Sequence, residues 1–150
     1  MARKVGDSTI VITGASSGIG RATALALASE GAAVVLAARR EEPLERLASE
    51  CEERGGLAIA VATDVTDEHA VYALAKTAIE TFGRIDAWVN NAGVYVAGPF
   101  EKVPLDVWRR VLETNVLGVV NGCRAALPYM KEQGAGVLVN VASLLGTFGV

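Results

Sequence analysis

Gly14, Gly18 and Gly20 fall in TGASSGIG, directly after an apolar run and at the opening of a helical pattern. A glycine at 14 lets the chain turn sharply as it leaves a strand. One at 18 removes the Cβ that would block a pyrophosphate, and one at 20 lets the helix lie close on a sheet. The N–H groups and positive end of that helix then face phosphate. A glycine turn without a ligand is the alternative, and the strand–loop–helix context favours phosphate. Downstream, Ser143 stands just beyond the last apolar run, GVLVNVA. Open α/β sheets place their chemistry at that end of a strand. The single histidine, His69, lies near a helix start and is expected to face solvent. A serine nucleophile has no base here, which disfavours hydrolase chemistry. A turn or cap serine is the other reading of Ser143.

The end of the second strand carries a further signal. Proteins that take NAD usually place an acidic residue there to accept from the ribose 2′-hydroxyl. This sequence has Ala38, followed by Arg39 and Arg40. A guanidinium beside the ribose would meet a 2′-phosphate with charge-assisted bonds. The expectation is NADP in preference to NAD, with Arg39 as main contact and a hydroxyl contribution from Ser16. The alternative is a pair of solvated helix-entry charges near Glu41 and Glu42.

These residues need a scaffold. Strand candidates run over 8–13, 33–38, 57–62, 85–90 and 136–142. Most are apolar at successive positions, as strands covered on both faces are. Helical stripes fill the gaps: residues 18–30, then Leu44, Leu47, Ala48 and Cys51, then Val71, Leu74, Ala75, Ala78, Ile79 and Phe82. Thr66 suits the N-cap of that third helix, with Asp67 and Glu68 in its first turn. A long helix is expected from about Pro104 to about Gln133, with Pro128 loosening its last turns. Its stripe of Trp108, Val111, Leu112, Val116, Val119, Val120 and Cys123 also contains Asn115. A buried amide must find partners or cost roughly 1–3 kcal/mol. Strand–helix alternation predicts an α/β fold: a doubly wound, Rossmann-like parallel sheet in the order 3-2-1-4-5.

Composition agrees with one domain over 150 residues, 51% hydrophobic and 21% charged. The net charge of -3 argues against nucleic acid as main partner. Cys51 and Cys123 lack metal spacing and sit on apolar stripes, so two buried free thiols in a reducing, cytoplasmic compartment are expected. There is no signal-peptide pattern and no run of 18 apolar residues, so neither export nor a membrane is expected.

The spacing Thr-Gly-x-x-x-Gly-x-Gly, with NNAG at Asn90 to Gly93, closely resembles the short-chain dehydrogenase/reductase family. Asp64-Val65, FGRIDAWVNNAG, ETNVLGVV and GVLVNVAS extend the likeness over almost the whole chain. The resemblance implies an NAD(P)-dependent oxidoreductase that moves a hydride between nicotinamide and a carbonyl or secondary alcohol, and Ala38 with Arg39 makes NADP the expected cofactor. It implies that Ser16, Ser17, Gly18, Ile19 and Gly20 contact the phosphates and ribose. Asp64 would bond the adenine amino group beside the Val65 backbone, with a local cap as the alternative. Asn91, Ala92 and Gly93 would line the adenosine and nicotinamide-ribose side, although such residues also make plain turns. Asn115 would order a water in a proton relay, and Ser143 would bond the substrate carbonyl.

Family members also use a Tyr-x-x-x-Lys on the next helix, which would begin past Val150. Tyr72 and Lys76 have that spacing but precede NNAG, and the pair reads as coincidence. The expectation is therefore a dinucleotide-binding domain over 1–150 that is the front part of a longer enzyme. Its uncharged last strand reads as central with its outer neighbour missing. A homodimer or homotetramer is implied, because the long helix resembles one that pairs between subunits. A non-catalytic NADP-binding module with a sensing or scaffold role is the alternative. Substrate identity is not encoded in these residues.

Overall fold

In the strand Thr9–Thr13 (β1) every residue is buried. Ile10 and Ile12 enter one core, whereas Val11 enters another. Successive strand side chains point to opposite faces, so a strand apolar at each position needs cover on both. The structure is a computed structural model and describes residues 4–143.

After β1 come the helix Gly18–Ser29 (α1), the strand Ala33–Ala38 (β2), the helix Glu41–Glu53 (α2) and the strand Leu57–Ala62 (β3). The helix Glu68–Phe82 (α3) leads to the strand Ala87–Asn90 (β4). Then follow the helices Leu105–Leu112 (α4) and Gly118–Gln133 (α5) and the strand Val137–Asn140 (β5). The strands form one parallel sheet in the order β3-β2-β1-β4-β5. This is the expected Rossmann-like arrangement. Helices α1 and α2 cover one face through Ala24, Leu25, Ala28, Leu44, Leu47 and Cys51. Helices α3 and α5 cover the other through Val71, Leu74, Ala75, Ala78, Ala125, Ala126 and Met130. Each fully buried Leu or Val contributes roughly 1.5–3 kcal/mol relative to exposure.

The order β2-β1-β4 creates a switch point. The chain leaves β1 toward β2 on one side, and β4 later pairs with β1 on the other. The carboxyl ends of β1 and β4 therefore diverge into different loops, which opens a crevice between them.

Several expectations are corrected. The N-cap of α3 is Asp67, not Thr66: Asp67 Oδ1 accepts from His69 N at 2.9 Å and Ala70 N at 3.3 Å. The Thr66 hydroxyl instead donates to Asp64 Oδ1 at 2.8 Å. The long helix is divided by a π-helical turn at Glu113–Leu117, and it continues through Pro128 to Gln133. Its apolar stripe is only partly buried: Trp108, Val111, Val119 and Cys123 are half-buried, whereas Leu112, Val116 and Val120 are exposed, and so is Asn115. Strand β5, read from the sequence as lacking its outer neighbour, does lie at the edge of the described sheet, with Val137 and Val139 exposed. Both cysteines are free; Cys51 is buried, but Cys123 is only half-buried. Burial pushes the Cys51 thiol pKa up.

Candidate functional site

The glycine loop is shaped by two backbone conformations and one close contact. Gly14 has φ 65° and Gly18 has φ 55°, in the left-handed region that favours glycine. A Cβ on Gly14 would lie 2.7 Å from Ala92 Cα, so the loop after β1 is packed against the loop after β4. A Cβ on Gly18 would meet no atom within 4 Å. It would project into open space at the mouth of α1, where a phosphate would have to approach. Ser17 is the N-cap of α1 but makes no side-chain cap bond. The first-turn N–H groups thus remain available to an anion.

The loop after β4 is held from two sides. Thr13 Oγ1 accepts from Asn91 N at 3.0 Å and Ala92 N at 3.1 Å. Asn91 Nδ2 donates to Thr13 O at 3.0 Å and Gly14 O at 3.2 Å. One turn further on, Val94 N donates to Asn115 Oδ1 at 2.9 Å, and Asn115 Nδ2 donates to Val94 O at 2.7 Å. The Asn115 amide is satisfied at both ends by one backbone residue. The strand pair β4–β5 is pinned below: Asn90 Nδ2 donates to Asn140 Oδ1 at 2.9 Å, and Trp88 Nε1 donates to Asn90 Oδ1 at 2.8 Å.

These elements enclose a cleft of about 1240 Å³ at the carboxyl ends of the strands. Gly14, Ser16, Ser17, Gly18 and Ile19 form its loop wall. Ala38, Arg39 and Arg40 line it from the end of β2, and Thr63, Asp64, Val65 and Thr66 from the end of β3. Asn91, Ala92, Gly93, Val94 and Tyr95 close it from β4, with Arg110, Glu113 and Thr114 on the α4 side. Gly20 is buried beneath the loop, where a Cβ would lie 2.5 Å from Asn91 Nδ2.

Besides Gly20, two sequence candidates are not on this lining. Asn115 reaches it through Val94. Ser143 is the last described residue, exposed, three positions beyond β5. Tyr72 and Lys76 lie on α3, where Lys76 pairs with Glu80 and Tyr72 neighbours Arg124 of α5. Sequence reasoning missed Thr13 as a clamp, and it missed Tyr95, Arg110, Glu113 and Thr114. The spacing i, i+3, i+4 of the last three was the available signal.

Hydrogen bonds set the charge of Asp64. The Thr66 backbone N–H donates to its Oδ1 at 3.0 Å. This bond holds the carboxyl pKa below the ordinary value; partial burial opposes it, while the Thr66 hydroxyl and the Arg39 charge add to it. Arg39 and Arg40 have no carboxylate partner among the described residues, although Glu41 and Glu42 follow them. The cleft thus offers an ionised acceptor, two guanidiniums outside any salt bridge among the described residues and a helix mouth, groups that suit a dinucleotide.

The family model for short chain dehydrogenase matches residues 8–150. The chain belongs to the short-chain dehydrogenase family. It is similar to an uncharacterized oxidoreductase, YxnA, of Bacillus subtilis, 49% identical over 98% of this chain and 42% of that protein. It is also similar to 3β-hydroxysteroid dehydrogenase 1 of Eggerthella lenta, 40% identical over 91% of this chain and 53% of that one. An NAD⁺-bound xylitol dehydrogenase superposes with TM-score 0.94 at 38% identity, covering 99% of this chain and 57% of that chain. The chain spans about half the length of the relatives it matches. Among the described residues, no helix is long and apolar enough to cross a membrane.

Proposed function

We propose that the protein is an NADP-dependent oxidoreductase and that these residues are its cofactor-binding part. The reading rests most heavily on the end of β2, where Ala38, Arg39 and Arg40 face the cleft without a carboxylate among them. When bound, the nicotinamide would supply or accept the hydride exchanged with a carbonyl or secondary alcohol.

The chain's own residues bind and orient. The first turn of α1 and the Ser16 and Ser17 hydroxyls hold the phosphates, with Gly18 allowing close approach and Ile19 beside them. Asp64 Oδ2 has no partner among the described residues and accepts from the adenine amino group, next to the Val65 backbone. Asn91, Ala92 and Gly93 meet the riboses. Asn115 fixes the loop through Val94 and contributes to a water-ordered proton relay, for which the π-helical turn supports the reading. Ser143 bonds the substrate carbonyl. A homodimer or homotetramer in the cytoplasm completes the reading. The exposed Leu112, Val116 and Val120 support the assembly, and two free thiols support the compartment.

The NAD⁺ in the xylitol dehydrogenase belongs to that protein; here the residue after β2 argues for the phosphorylated cofactor. One charged hydrogen bond, about 1.5–3 kcal/mol, corresponds to about 10- to 100-fold in affinity. Calorimetry at fixed salt should show NADP bound at least about 10-fold more tightly than NAD. The double variant Ala38→Asp, Arg39→Ala should reverse that order. Equal affinities in the parent, or an unreversed order in the variant, would remove Arg39 from this role.

A further inference from the structure

Arg110, Glu113 and Thr114 line the same cleft as Asp64 and Val65, although they come from the far side of the sheet's crevice. The chain just beyond them is anchored at two points. Gly118 rests so closely on Val65 that a Cβ would meet Val65 Cγ2 at 2.8 Å. Asn121 Nδ2 donates to Val65 O at 2.9 Å. The start of α5 is therefore clamped to the loop after β3. Thr114 and Arg110, upstream of the clamp, line the one cleft that also holds Asp64 and Val65.

Arg110 is exposed there and has no ion pair among the described residues, although Asp106 and Glu113 lie within helical reach. Arg21, Arg46, Arg84 and Arg124, in contrast, are each paired with a carboxylate. A guanidinium is planar, weakly hydrated and permanently charged, and it lies readily on an aromatic face.

We propose that Arg110 closes the adenine end of the cleft from the helix side, laying its guanidinium on the base. This deepens, and rests on, the dinucleotide reading above. The two cleft walls then divide the recognition. Arg39 meets the 2′-phosphate that distinguishes NADP, and Arg110 meets the base that NADP and NAD share.

The test measures binding to Arg110→Ala and Arg39→Ala in the protein at the full length its gene encodes. The probes are NADP, NAD, 5′-AMP and nicotinamide mononucleotide. A cation–π contact predicts that Arg110→Ala weakens NADP, NAD and 5′-AMP by a similar factor, about 3- to 10-fold. Nicotinamide mononucleotide, which lacks the base, should be unaffected. Arg39→Ala should weaken NADP alone. Arg110→Lys should recover part of the loss, and an unchanged melting temperature establishes that the variants are folded. If Arg110→Ala weakens only NADP, or weakens the mononucleotide equally, the residue reads phosphate and the proposal is overturned. If the parent binds both dinucleotides and Arg110→Ala changes neither, the proposal fails while the cofactor reading stands. A parent that binds no adenine nucleotide overturns both.

Discussion

Asn91 donates to Thr13 twice: its backbone N–H to the Thr13 hydroxyl and its side-chain amide to the Thr13 carbonyl, each at 3.0 Å. The pair joins the last residue of β1 to the first residue after β4, 78 positions apart. It holds the glycine loop against the NNAG loop at the point where the sheet changes direction.

Thr13→Val keeps the shape and removes the acceptor. The N–H groups of Asn91 and Ala92 would lose their partner beside a residue that is only 2% exposed. A buried donor left unsatisfied costs about 1–3 kcal/mol. Urea unfolding should show a loss of that size, with NADP and NAD binding weakened together, while Thr13→Ser should lose less. A Val variant as stable as the parent would rule out the clamp.

Asp64 predicts an acid-side signature. Its pKa is lowered in the fold, chiefly by the Thr66 N–H bond. Its contribution to stability is therefore fully present above the unfolded value. It is lost as pH falls below the ordinary 3.8 and through the folded pKa. The stability difference between parent and Asp64→Asn should be constant at neutral pH and narrow in that acid window. A difference that stays flat through the window would show that Asp64 is not held ionised by these bonds.

Tyr72 and Lys76 are expected to take no part in the chemistry, because α3 carries them outside the cleft. Residues 1–150 alone should give no meaningful turnover of NADPH with ketones or aldehydes, since positioned proton transfer is typically worth about 10²–10⁴-fold. Full turnover that survives Tyr72→Phe would contradict this expectation. Turnover abolished by that substitution would place Tyr72 in the reaction.

The same 150 residues should self-associate in solution. Val137, Val139 and Val141 are exposed along the β5 edge, and Leu112, Val116, Leu117 and Val120 along the long helix. Exposed strand edges and contiguous apolar surface both promote association. Light scattering across concentration is the check, and a monomer that stays dispersed and unfolds cooperatively at high concentration would count against it.

By itself the sequence determined the elements and the character of the cleft. Unbroken apolar runs mark strands covered on both faces, as β1 and β2 are. The glycine spacing marks the turn at the mouth of α1, and Ala38-Arg39 marks the charge at the end of β2. Such signals are local, because backbone sterics and side-chain periodicity act over a few residues. What only the tertiary structure decided is which atoms meet across long separations. Asn115 sits on an apolar helical stripe, which predicted burial; in the fold Asn115 is exposed, between exposed Leu112 and Val116, and its amide is spent on Val94 instead. Thr66 has the chemistry of a cap, but Asp64 claims its hydroxyl and Asp67 takes the helix end. Arg110 lines the cleft from a helical segment whose continuation is fastened to Val65 through Gly118 and Asn121, contacts made across more than fifty positions. A side chain's partner is chosen by whichever group packing brings within about 3 Å, and that choice is made by the whole sheet and its helices together.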